Sequence, residues 1–177
     1  MSKTDKFNIP KEVSHVTETL ENAGFEAYIV GGCVRDLLIG KTPKDWDVTT
    51  NAKPEDIEKL FENTYYNNDY GTVGMVNEEV KDETLKVIEV TPYRLESEYS
   101  DSRRPDSVKF SDSIEHDLKR RDFTINAIAY SESKGQIIDL FDGQKDIADR
   151  VIRAVGDPDV RFSEDALRIL RAIRISA

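Results

Sequence analysis

Tyr28–Asp47 reads YIVGGCVRDLLIGKTPKDWD, and the fold is decided there. Phe25–Val30 is a short apolar strand that runs straight into Gly31-Gly32. A helical turn through Val34, Leu37 and Leu38 follows and stops at Gly40, and Asp45–Thr49 predicts a second strand. Glycines between a strand and a helix let a phosphate approach the backbone, and a helix start offers amide donors and positive potential. Arg35, one turn in, adds a charged fork. Residues i and i+2 of a strand share a face, so Asp45 and Asp47 converge on one spot. Paired hard oxygens suit Mg²⁺, which binds through one or two carboxylates plus substrate phosphates. Taken alone, the glycines also fit a plain tight turn, and the DWD a turn with Asp45 as a cap and Asp47 solvated. Gly40-Lys41-Thr42 imitates the end of a Walker A loop, but that motif needs glycine where the chain has Arg35.

Outward from this stretch, helices and strands alternate. Residues 10–23 form an amphipathic helix, with Pro10 in its first turn, Val13, Val16 and Leu20 on one face, and Gly24 ending it. Pro54 opens a helix to Phe61. Residues 72–76 and 84–93 predict a hairpin around the acidic NEEVKDE turn (77–83). Residues 94–113, RLESEYSDSRRPDSVKFSDS, are polar and weakly periodic; such a long connection is usually functional or disordered, and mobility is expected. A helix over Ile114–Tyr130, a strand at Gln136–Leu140, a short helix at Gly143–Arg150, an extended piece at Val151–Val155 and a helix from Ser163 to Ala177 complete the reading. The class is α/β or α+β, with a mixed sheet flanked by helices.

The composition bounds the function. A chain of 177 residues, 38% hydrophobic and 34% charged, is globular in composition and fits one domain or one domain with an appended piece. No run approaches the ~18 apolar residues of a membrane span. MSKTDKFNIPKEV (1–13) lacks an apolar signal region, so a cytoplasmic protein is expected. A single cysteine, Cys33, excludes an internal disulfide, and two histidines beside it argue against zinc. Net charge of −10 argues against a nonspecific nucleic-acid coat. The charge is uneven: residues 1–100 carry 11 Lys/Arg and 20 Asp/Glu (net −9), and residues 101–177 carry 14 and 15 (net −1). Arginine rises from two in the first segment to ten in the second, which places a nucleotide-facing surface in the second half.

Two clusters of candidate residues lie there. KRRDFTINA (119–127) is a basic cluster beside Phe123, which also reads as a basic helix face over a core aromatic. On the last helix Arg161, Asp165 and Arg168 share a face, with Arg171 and Arg174 drifting off it, while Ala166, Ile169, Leu170 and Ile173 line another. Asp acceptors and Arg donors in fixed geometry can read a base edge, although an i,i+3 surface ion pair has the same spacing.

Five ordered motifs, GGCVRD (31–36), DWD (45–47), RRDFTINA (120–127), DLFDG (139–143) and RFSEDALRILRAIR (161–174), resemble the class II tRNA nucleotidyltransferases. This family of CCA-adding enzymes and poly(A) polymerases lies in the polymerase-β-like superfamily. The resemblance implies a nucleotidyltransferase head over 1–142 and the start of a helical neck over 143–177, with Gly143 near the hinge. It implies Gly31, Gly32 and Arg35 at the triphosphate turn, and Asp45 and Asp47 as metal-binding catalytic acids. Glu89 stands where the superfamily often has a third acid. Arg121 resembles a nucleotide-contacting arginine, and Asp122 the residue that recognises the ribose. Asp165 and Arg168 resemble a protein template for the incoming base, followed by nucleotide-contacting Arg171 and Arg174. Cys33 departs from the usual alanine. The implied activity is Mg²⁺-dependent addition of CMP and AMP, from CTP and ATP, to the 3′ end of tRNA. A poly(A) polymerase, an A-adding enzyme, a CC-adding enzyme and a noncatalytic nucleotide-binding module stay open beside it. Residues 94–113 resemble a flexible loop needed for adding A, which disfavours CC addition alone. Family enzymes continue through more neck, a body and a tail that hold tRNA, so this chain is expected to be a piece that ends inside the neck.

Overall fold

The computed structural model describes residues 7–66, 71–96 and 108–176. The first half contains α1 (Lys11–Asn22), β1 (Ala27–Val30), α2 (Gly32–Leu38), β2 (Trp46–Thr50), α3 (Pro54–Leu60), β3 (Thr64–Tyr66), β4 (Val73–Val76) and β5 (Val87–Pro92). The second contains β6 (Arg94–Glu96), β7 (Val108–Phe110), α4 (Ile114–Lys119), β8 (Ile128–Ser131), β9 (Gln136–Asp139), α5 (Gly143–Asp149), α6 (Pro158–Glu164) and α7 (Leu167–Ser176). Seven strands form one mixed sheet in the order β3-β4-β5-β2-β1-β8-β9. Among the described residues of this sheet, β2 and β5 run parallel and every other neighbouring pair is antiparallel. The fold is therefore α/β of the expected mixed kind.

One face of the sheet carries the main core. Ile29, Trp46, Val48, Ile88, Val90, Val73 and Met75 pack with Val13, Val16 and Leu20 of α1, Val34 of α2 and Ile57 of α3. Opposite this, Tyr28, Val30 and Ala129 pack with Tyr93 and with Leu118 of α4. On that second face, the positions alternating with Trp46, Val48 and Ile88 are Asp47 and Glu89, and both are half-buried. Period two thus puts the aromatic and aliphatic residues into the core and the acids onto the opposite face.

Several boundaries differ from the sequence reading, one for nonlocal and one for local reasons. The helix expected over 114–130 stops at Lys119 and gives way to a 3₁₀ turn at Thr124–Asn126 and to β8. The backbone after Arg121 bonds to the 153–155 segment: Thr124 N–H to the Arg153 carbonyl at 2.9 Å, and Val155 N–H to the Asp122 carbonyl at 3.0 Å. β8 then inserts between β1 and β9 and is buried throughout. The single helix expected from Ser163 is two. Asp157 caps α6 through the amides of Asp159 and Val160, with Pro158 in its first turn. Asp165 is extended (φ −143°), and its carboxylate accepts from Leu167 N–H at 2.9 Å, which starts α7 afresh. The strand β3 had no expectation. At the ends of the 94–113 stretch β6 and β7 pair with each other; the expectation of mobility falls largely on 97–107, outside the described residues.

Candidate active site

The acids meet where the sheet's parallel pair sets them side by side. Asp47 is in register with Glu89 across β2 and β5, and Glu89 with Gly74 across β4. Asp45, exposed, precedes β2 on the same alternation. A cleft of about 300 Å³ opens over them, lined also by Lys44, Glu83 and Thr84. Burial pushes the Asp47 carboxyl up to about 6; Glu89 and Asp45 push the same way, against the pull of Arg121. This cluster holds more negative charge than its cations offset, which favours a hard divalent cation. Among the described residues no three His, Cys, Asp or Glu side chains gather into a metal cage. Asp45 and Asp47 would therefore hold a cation only jointly with other oxygen ligands. Behind them, Cys33 is wholly buried and donates to the Val30 carbonyl; burial, then Asp47, raises its thiol to about 12, so it is a core residue without nucleophilic character.

Gly31 ends β1 at φ +87°, where a side chain is strained. A Cβ there would lie 3.0 Å from Arg121 Nη1 and 3.6 Å from Asp47 Oδ2. The glycine, the acid and the arginine, separated by up to 90 residues in the chain, thus share one corner. Arg35 folds back over Gly32 and is tied down: Nε and Nη2 donate to Asp36, and Nη1 donates to Asn126 Oδ1 at 2.7 Å.

Arg121 reaches the corner from the end of α4. Its Nε and Nη2 donate to Asp117 Oδ2 at 3.3 and 3.0 Å, while Arg120 takes Asp117 Oδ1. Asp122, 6% exposed, accepts through Oδ1 from Phe123 N–H and from Asn126 Nδ2. Its Oδ2 is 3.0 Å from Arg171 Nε, an ion pair without hydrogen-bond alignment, so this buried oxygen retains acceptor capacity.

The residues expected as a template are divided in their local roles. Asp165 caps α7 and Arg168 is 5% exposed, donating through Nη1 to the Arg161 carbonyl and to Glu164 Oε2. Arg171 reaches Asp122 and so ties α7 to the corner; Arg174 is exposed in the last turn of α7. Leu170 and Ile173 of the same helix are more than 60% exposed, so its apolar face is not part of this chain's core.

Residues 27–153 match the model of the poly A polymerase head domain. The chain belongs to that family. It is 53% identical to the CCA-adding enzyme of Leuconostoc citreum over 168 residues, which are 92% of this chain and 39% of that protein. The structure superposes on the Bacillus stearothermophilus CCA-adding enzyme in complex with CTP with a TM-score of 0.80 and 41% identity, over 94% of this chain and 39% of the other. A tRNA nucleotidyltransferase complexed with a primer tRNA and an incoming ATP analog aligns with a TM-score of 0.69 and 34% identity, over 91% of this chain and 44% of that one. The chain spans about two-fifths of the length of these relatives.

Within this head-domain fold, two residues given no individual role in the sequence reading organise the corner. Asn126 takes a hydrogen bond from Arg35 and gives one to Asp122, linking α2 to the RRD segment. Asp117, fully buried, grips both Arg120 and Arg121. Its i,i+3 and i,i+4 spacing to them is visible in the sequence; its burial is not. Among the described residues no helix is long and apolar enough to cross a membrane.

Proposed function

We propose that this chain is the nucleotide-handling head of an enzyme that adds CMP and AMP, from CTP and ATP, to the 3′ end of tRNA and releases pyrophosphate. The observation that carries this reading is the corner at Gly31, where Arg121 Nη1 and Asp47 Oδ2 come so close to the backbone that even a Cβ would crowd the guanidinium. A triphosphate entering there meets a guanidinium on one side and the acids on the other. Arg121 offsets its charge, and Gly31 lets it approach the backbone. Asp122 Oδ2, buried and with spare acceptor capacity, suits a ribose hydroxyl donor. Gly32 and Arg35 support the turn. Mg²⁺ held by Asp45 and Asp47 would supply the positive charge that acidifies the tRNA 3′-hydroxyl and stabilises the leaving pyrophosphate. Glu89, beside Asp47, strengthens the field that attracts this cation.

Base choice is assigned to Asp165 and Arg168, with Arg171 and Arg174 contacting the nucleotide. Arg168 is preset by Glu164 and the Arg161 carbonyl, so little rotamer freedom remains to be lost on binding. The relatives support CCA addition, and a cytoplasmic location is part of the same reading. The division into a head over 1–142 and a neck onset over 143–177 belongs to the same reading. The test is incubation of tRNA lacking its terminal CCA, and separately of tRNA ending in CC, with Mg²⁺ and each labelled nucleotide. Incorporation of C and then A supports the reading. Addition of A only, to tRNA already ending in CC, would indicate an A-adding enzyme; an unlimited A tail, a poly(A) polymerase; nucleotide binding without incorporation, a binding module.

A further inference from the structure

Asp117 lies one helical turn before Arg121, and its carboxylate has no exposed surface. Four guanidinium nitrogens converge on it. Arg120 donates through Nε at 3.0 Å and Nη2 at 2.6 Å to Oδ1; Arg121 donates through Nε at 3.3 Å and Nη2 at 3.0 Å to Oδ2. One edge of the Arg121 fork is thereby fixed. A guanidinium is planar, so fixing that edge also fixes the direction of the remaining nitrogen, Nη1. Nη1 is the atom that lies against Gly31, on the same side as Asp47 Oδ2.

We infer that Asp117 is a positioning residue for nucleotide binding: it clamps one edge of Arg121 so that Nη1 is delivered to the phosphate-accepting corner at Gly31. The inference rests on the reading of that corner as a nucleotide site. Asp117 itself, buried beneath both arginines, touches no ligand. Without the clamp, Arg121 keeps its charge but loses its direction. The loss falls on the triphosphate, which CTP and ATP share, and leaves the choice between them alone.

The experiment measures CTP and ATP dissociation constants and melting temperature for the whole 177-residue chain with Mg²⁺, as wild type, Asp117→Asn, Arg121→Gln and the double variant. Asp117→Asn keeps the side chain's shape and removes its charge. It is expected to weaken both nucleotides by the same factor, on the order of 10–100-fold, as when the support behind a ligand-contacting group is removed. In the Arg121→Gln background the same change should alter affinity by no more than about twofold, because nothing remains to be aimed. A merely structural residue would lower the melting temperature and leave the affinity of the folded protein unchanged, or weaken binding equally in both backgrounds; either result overturns the inference. If Arg121→Gln weakens binding while Asp117→Asn does not, the inference fails alone. If Arg121→Gln leaves binding intact, the reading of the corner fails and takes the inference with it. Should Asp117→Asn not fold, Asp117→Glu keeps the ion pairs and displaces the fork by one methylene; weakened binding of both nucleotides supports the clamp, and wild-type binding overturns it.

Discussion

The sheet corner and the paired helices α6 and α7 are two halves of one proposed site, built by different means. At the corner, Asp47 and Glu89 stand on neighbouring strands in fixed register, and Gly31 N–H donates a hydrogen bond to the Ile128 carbonyl at 3.1 Å. At the helices, Asp165 and Arg168 are set by a cap, a surface-facing carboxylate and one arm, Arg171, reaching back to Asp122. Backbone ladders hold the acids that would do chemistry, and side-chain contacts hold the residues that would choose a base. A group in a ladder cannot shift without breaking the sheet, whereas a capped two-helix unit can adjust at modest cost. That contrast fits the proposed activity, in which the chemistry would stay constant while the base preference would change between C and A.

The largest test removes the acid. Asp47→Asn should lower nucleotide incorporation, in a protein with incorporating activity, on the order of 10⁴-fold, as removing one carboxylate from a concerted catalytic set does. The melting temperature without metal should stay level or rise, since a like charge beside Glu89 and Asp45 is gone. A matching loss of stability would make Asp47 a structural residue and erase the contrast with the helices.

Next in size is Asp117. Burial raises its carboxyl, but Arg120 and Arg121 outweigh that and hold it below the ordinary carboxylate range. Breaking such a buried pair costs about 3–5 kcal/mol. Because the folded state lowers the pKa, this stabilisation is complete above the ordinary carboxylate value of about 4 and is lost as pH falls through the lower folded value. The melting-temperature gap between wild type and Asp117→Asn should be full from pH 7 to 5 and close below about pH 4. A gap independent of pH down to 2 would contradict the ion-pair assignment.

Gly31→Ala comes third. Positive φ and a Cβ 3.0 Å from Arg121 Nη1 should cost about 1–3 kcal/mol in stability, with weaker CTP and ATP binding as the corner fills. Gly143→Ala is its control: a Cβ there would overlap the Thr124 carbonyl and press on Ile128, so it should destabilise without first affecting nucleotide affinity. Equal effects of both variants on binding would remove the special role of Gly31.

The same contrast explains what the sequence discloses. Trp46 and Val48 alternate with Asp47 over three residues, so both the strand and the side of the sheet facing the cleft are local facts, and the structure has them. Phe123, Ile125, Ala127, Ile128 and Tyr130 fit helix and strand periods alike. The choice is made by the distant 153–155 segment and β1, together with the hairpin partner β9. Asp165 at helical spacing suggests continuity, yet a short acceptor side chain can equally begin a new helix, and here it does. Arg121 meeting Gly31 has no local signature; only the order of motifs, through the family resemblance, anticipates it. Asp117 escaped because an i,i+4 acid–arginine pair is usually a solvated one, and burial depends on what the helix packs against.

The smallest expected effect is also the one that best separates the two halves, because Asp165 has two candidate jobs. Its carboxylate caps α7 through Leu167 N–H, and it is also assigned to base choice. Ser keeps an acceptor oxygen at nearly the same reach, whereas Ala keeps none. Asp165→Ala should therefore cost about 1 kcal/mol of stability and Asp165→Ser much less. If the carboxylate reads the base, both substitutions should relax discrimination among CTP, ATP, GTP and UTP, by roughly 1–3 kcal/mol for a lost recognition pair, with triphosphate affinity nearly unchanged. The comparison of interest is Ser against Ala in competition binding with the four nucleotides. Relaxed choice in both variants assigns Asp165 to the base. Relaxed choice in Ala alone makes the cap sufficient, so that α7 matters as a placed element carrying Arg168 and Arg171. Undisturbed preference in both removes Asp165 from base selection and leaves it only as the residue that starts the second helix.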